Sequence, residues 1–144
     1  MFTSDIERNR HIRCRLIKTA SVYFAVSILC IVITNIYALF GHGVRSESMD
    51  FMFLFPLIGG SVLFLLAAFL WPHLPERLRD MSRMGYNLYN SGIAALTTAA
   101  MLTGIMEIAE TGSKWIQYIR IAGYILAGTA FVFQGAKVLK RADR

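Results

Sequence analysis

The apolar residues of this chain come in long blocks rather than at the 3.6- or 2.0-residue periods of half-buried helices and strands. The blocks run over Leu16–Phe40, Met52–Trp71, Tyr86–Met106 and Trp115–Val138. Each holds about 20 residues or more, enough at about 1.5 Å rise per residue to cross a hydrocarbon core of about 30 Å. The pattern predicts an all-α membrane protein: one domain, a four-helix transmembrane bundle, preceded by a basic polar segment over 1–15.

Polar positions inside the blocks carry the next layer of information. In the first span Tyr23, Ser27, Cys30, Thr34 and Tyr37 recur at spacings of 4, 3, 4 and 3, which puts them on one helix face. Hydrocarbon offers such groups no hydrogen-bond partner, so this face should turn into the bundle or toward an aqueous cavity. Small hydroxyls can also bond back to their own helix, so packing and solute lining both fit the pattern. Asn35 lies on a different face.

The second span carries Pro56, Gly59 and Gly60 in its first half, which predicts a kink or hinge. Beyond them Pro56, Gly60, Leu63 and Ala67 form a smooth face suited to close helix packing. Trp71 marks an interface, Pro72 and Pro75 stop the helix, and Glu76–Arg83 predicts a short amphipathic surface turn.

The third span bears two stripes. Asn87, Asn90, Ser91, Ala94 and Thr98 form one, and Gly92, Ala99, Thr103, Glu107 and Glu110 form the other. Together they leave little of this helix suited to lipid, so it should sit centrally. Gly112 is expected to turn the chain. Arg120 follows about one turn inside the fourth span, placed to reach outward or to pair with Glu107 or Glu110. Beyond it Gly123, Ala127, Ala130 and Gln134 make a small and polar face, with Gly128 and Gly135 as further points of close approach.

Charge sets the orientation. Arg8, Arg10, Arg13, Arg15 and Lys18 precede the first span, Arg77, Arg79 and Arg83 separate the second and third, and Lys137, Lys140, Arg141 and Arg144 close the chain. The two remaining connections hold Arg45 and Lys114 against Glu47, Asp50, Glu107 and Glu110. The positive-inside rule therefore predicts both termini in the cytoplasm, in a plasma membrane. Topology accounts for the net charge of +6, so nucleic acid is not expected as a partner. Segment 1–18 reads as a charge-rich end, with an interfacial helix capped by Ser4 or Asp5 as one form of it. Its apolar continuation is too long for the h-region of a signal peptide. Cys14 and Cys30 fall at different depths and imply no disulfide framework. The two halves share an order of span, acidic connection and span without residue-level similarity.

Motifs that would name a chemistry do not occur: no H-E-x-x-H, C-x-x-C, P-loop or G-x-S-x-G is present. His11, His42 and His73 lie in flanks or connections, away from where a haem between helices would need them. No cofactor is implied. His42, Glu47 and Asp50 are metal-ligating types at a spacing that matches no metal motif. What remains is a constellation of His42, Asp50, Glu107, Glu110 and Arg120 at the outer ends of the spans. Below it Tyr23, Ser27, Thr34, Tyr37, Asn87, Asn90, Ser91, Thr98 and Gln134 are candidates to line a path. Convergence of these groups would make an acidic, cation-favouring outer cavity. The sequence thus supports a transport or channel-type protein for a small polar or cationic solute, acting as an oligomer. Equally it supports a non-catalytic subunit or assembly partner of a larger membrane complex. Third comes a membrane-embedded enzyme on a lipid-like substrate, with His42, Asp50 and Glu107 as its acid–base groups.

Overall fold

The computed structural model describes residues 2–41, 43–73 and 83–142, and no strand occurs among them. The elements are α1 (Phe2–Phe40), a single turn α2 (Glu47–Asp50), a π-helical segment (Phe55–Val62) running into α3 (Leu63–Leu70) and a 3₁₀ turn (Trp71–His73), then α4 (Arg83–Ile108) and α5 (Lys114–Ala142). Helical stretches over Asn9–Phe40, Glu47–His73, Arg83–Ile108 and Lys114–Ala136 are each long and apolar enough to cross a membrane.

No glycine or proline occurs before Gly41, so nothing interrupts α1 between the basic segment and the apolar span. The helix begins at Phe2, ahead of Ser4 and Asp5, and neither of these is its cap. It ends where Gly41 donates to the carbonyl of Tyr37 and Gly43, at φ 86°, donates to that of Ala38. The expected turn over Glu76–Arg83 lies, apart from Arg83, outside the described residues.

In place of the expected kink or hinge, the second apolar stretch runs on through Pro56 as one helical stretch, Glu47–His73. Pro56 supplies no N–H, and the backbone answers by widening into a π-helix over Phe55–Val62. The wider turn moves the interior face on by one residue. Pro56, Gly60, Ser61, Phe64, Ala68 and Trp71 are buried, whereas Leu63 is exposed and Ala67 half-buried. The expected face through Leu63 and Ala67 is therefore replaced by one through Phe64 and Ala68.

This widened span packs between α1 and α4, while α5 packs along α4. At Gly60 the ring of Tyr23 occupies the place of a side chain, since a Cβ there would stand 2.2 Å from Tyr23 Cγ. Gly92 serves α5 in the same way, with a Cβ falling 2.7 Å from the Ala127 nitrogen. Gly128 and Gly135, expected to make close contacts, face open space. In the half of the bundle where α1 begins and α5 ends, here called the base, an aromatic series joins all four helices. Tyr23 stacks on Phe64 at 5.8 Å, Phe64 meets the edge of Tyr89 at 5.8 Å, and Tyr89 meets Phe131 at 5.6 Å. Toward the opposite end, the crown, Cys30, Met49, Met52 and Ala100 form a second buried cluster.

Candidate functional site

The polar face of α1 turns inward, where three of its residues make hydrogen bonds and Cys30 and Tyr37 pack. Tyr23 is half-buried and donates its hydroxyl to Asn90 Oδ1 of α4 at 2.8 Å. Ser27 is buried, donating to the Tyr23 carbonyl at 3.0 Å and lying 3.4 Å from that of Phe53. Thr34 is buried and donates to the Met49 carbonyl at 3.1 Å. Tyr37 is half-buried against the crown cluster. Tyr23, Ser27 and Thr34 thus fasten α1 to the second apolar segment and α4.

At the crown the expected cluster separates into parts. Glu107, at the end of α4, accepts hydrogen bonds from Ser46 and, at 2.7 Å, from Ser48. Ser46 is also the N-cap of α2, its hydroxyl oxygen accepting from the Met49 N–H at 3.4 Å. Asp50 instead pairs with Arg45 at 3.7 Å, and Arg45 reaches Asn35 Oδ1 at 3.4 Å. Glu110 stands apart, exposed, at φ 50°. It occupies the left-handed position of a Schellman ending, with its own N–H on the Glu107 carbonyl and that of Thr111 on the Met106 carbonyl. Glu110, not Gly112, therefore turns the chain. His42 lies outside the described residues.

Arg120 pairs with neither glutamate. It donates to Thr103 Oγ1 of α4 at 2.8 Å, while Glu107 takes its hydrogen bonds from the two serines; these bonds, with a smaller contribution from the nearby Arg120 charge, hold the Glu107 carboxyl below its ordinary range. Glu107 and Arg120 do share one cavity of 660 Å³, walled by the α4–α5 turn. Lys114 also lines it, so its ionisable lining is two cations and one carboxylate. That composition does not give the acidic, cation-selective character expected from sequence. Arg120 further lines a 310 Å³ cleft with Glu47, Ser48 and Tyr124.

The remaining path candidates do not join this cavity. Asn87, Ser91 and Thr98 are exposed on α4, on the side away from its buried residues Tyr89, Gly92, Ile93 and Leu96. Thr98 donates back to the Ala94 carbonyl at 2.9 Å. Gln134 is half-buried and lines a separate 210 Å³ cavity at the base with Tyr86, Tyr89 and Phe131. Among the described residues no three His, Cys, Asp or Glu side chains are grouped to hold a metal.

Sequence reasoning missed four hydrogen bonds between elements: Ser46 and Ser48 on Glu107, Thr19 with the hydroxyl of Tyr86 at 2.5 Å, and Tyr89 on the Gly59 carbonyl. The signal available was the Ser46–Met49 capping interval ahead of the second span.

Fold and site together define a class, an all-helical protein with four helices capable of spanning a membrane. Comparison of the chain with protein-family models, with curated proteins and with solved structures finds no match.

Proposed function

We propose that this protein is a non-catalytic member of a larger membrane assembly, acting by lateral helix contact, with both termini cytoplasmic. The observation that carries the reading is the outward polar stripe on α4. Asn87 and Ser91 are exposed and make no hydrogen bond among the described residues. Ala94 and Thr98 continue the stripe toward the crown. Uncovered amide and hydroxyl groups are poorly served by lipid tails, and a neighbouring helix that bears Ser, Thr, Asn or Gln would satisfy them. The inward hydroxyls of Tyr23, Ser27, Thr34 and Tyr89, by contrast, already have partners within the chain. Extraction in a mild detergent followed by native mass spectrometry tests the reading. The wild-type chain should travel with a second chain, its own copy or another protein, and Asn87→Leu/Ser91→Leu should release it while the monomer stays folded. A wild-type chain that is monomeric under these conditions would sink it.

A second reading is transport of a small charged solute through a conduit completed by a neighbouring subunit. The crown cavity supports it, since Arg120, Lys114 and Glu107 face one space. Proteoliposome flux that Arg120→Gln abolishes without loss of assembly would favour this reading over the first.

A further inference from the structure

A second cavity, at the base, is built from different parts. It lies between the first turns of α1 and the end of the second span, has a volume of 580 Å³, and is lined by Asn9, Arg10, Arg13, Ile17 and Trp71 among others. Arg10 and Arg13 are one helical turn apart, so both guanidinium groups reach the same opening. No carboxylate lines it among the described residues. Trp71 forms part of the wall and is 2% exposed, and its indole Nε1–H is the one buried side-chain polar group without a hydrogen-bond partner among the described residues. Trp71 lines the 210 Å³ cavity of Tyr86, Tyr89 and Gln134 as well, and so separates the two. Beyond the arginines the same face of α1 becomes apolar and exposed at Ile17 and Phe24.

We propose that this cleft binds the phosphate headgroup of an anionic glycerophospholipid. Arg10 and Arg13 hold the phosphate, and Asn9 adds a polar contact. The acyl chains then run along Ile17 and Phe24. Basic pockets between membrane helices recognise anionic headgroups by this combination of charge and shape. The apolar strip directly beyond the arginines is what favours a lipid over a free anion. Arg15, on another face of α1, is already engaged over the ring of Tyr86, 5.0 Å from its centroid. The inference is independent of whether a neighbouring chain covers α4.

The full chain, purified in mixed micelles of equal phosphatidylglycerol and phosphatidylcholine, tests the site by native mass spectrometry. Phosphatidylglycerol should be retained in preference to phosphatidylcholine. Arg10→Gln/Arg13→Gln, at two exposed positions that leave packing intact, should weaken that retention by about 30-fold, the factor two membrane-surface cations supply together. Equal retention of the two lipids, or full retention by the double variant, would overturn the proposal. So would binding of inorganic phosphate through the same arginines at a concentration that displaces the lipid, which would mark a free-anion site instead.

Discussion

The hydroxyl of Tyr89 on α4 donates to the carbonyl of Gly59, 2.5 Å away, in the middle of the π-helical segment. A π-turn exists there because Pro56 cannot donate, and its widened backbone presents carbonyls sideways, where a neighbouring side chain can reach them. Tyr89 therefore joins two spans through a backbone group that an ordinary α-turn would keep to itself. Tyr89→Phe should lower stability by about 0.6 kcal/mol and at most about 1.7 kcal/mol, the range for hydrogen bonds between membrane helices. Unfolding in a mixed-detergent series, compared with wild type, measures it.

Gly60 gives a larger effect by a different mechanism. A Cβ there would meet Cγ of Tyr23 at 2.2 Å and its Cβ at 2.7 Å, and Tyr23 is held in place by Asn90 and by the ring of Phe64. Gly60→Ala should thus cost about 1–3 kcal/mol, the usual price of overpacking. In a Tyr23→Ala background the same change should cost much less, because the ring in the way is gone. A double-mutant cycle with equal costs in both backgrounds would refute the contact.

How much of this was legible in the chain follows from where each interaction is local. The four helices long and apolar enough to cross a membrane were readable because bilayer thickness fixes a block length that composition alone displays. The inward face of α1 was readable because Tyr23, Ser27, Cys30 and Thr34 keep a strict helical register with no irregular turn among them. The face of the second span was not, since one π-segment shifts every later position by a residue, and the sequence signals a disturbance at Pro56 without its type. The partner of Arg120 was equally hidden. Ordinary spacing favours Glu107, and only the tertiary position of α2 shows two serines already on that carboxylate. On α4, the two stripes predicted a helix with little surface left for lipid, whereas Asn87, Ser91 and Thr98 are exposed, because the direction of a stripe depends on where the neighbouring helices lie.

Glycines on α5 divide into two kinds, and the division is testable. Gly123 packs against Leu96, whose Cγ lies 2.9 Å from where a Cβ would be, and faces the Gly92 carbonyl, whereas Gly128 faces open space. Gly128→Ala should stabilise the helix by about 1 kcal/mol, the difference in helical propensity. Gly123→Val should force α5 away from α4 and lower the unfolding midpoint. Thermal scans of the two variants in one detergent separate them by sign.

Glu110 tests whether a crown carboxylate has a structural or a chemical role. At φ 50° it bears the cost of a left-handed conformation, about 1–2 kcal/mol for a residue with a Cβ. Glu110→Gly should therefore raise stability by about 1 kcal/mol and leave any transport or assembly readout unchanged. Loss of function with a gain in stability would instead assign the carboxylate a direct role.

Ser46 is the residue on which the crown connection most depends, because its hydroxyl serves two partners at once. It accepts from the Met49 N–H, capping α2, and donates to Glu107 on α4. Ser48 makes only the second kind of contact. Ser46→Ala removes a cap, about 1 kcal/mol, together with an inter-helix bond to a carboxylate, whereas Ser48→Ala removes the bond alone. Thr34 on the Met49 carbonyl remains as a second anchor in both variants. Amide hydrogen exchange over residues 43–54 should therefore quicken by about tenfold or more in Ser46→Ala and by less in Ser48→Ala. Ser46→Ala/Thr34→Val should exceed either. Glu107→Gln keeps one oxygen that accepts from one serine and sets an NH2 donor in place of the acceptor that the other serine uses, so its exchange should fall between wild type and Ser46→Ala. If Ser48→Ala loosens the segment as much as Ser46→Ala, the capping bond contributes nothing and the carboxylate alone holds the connection.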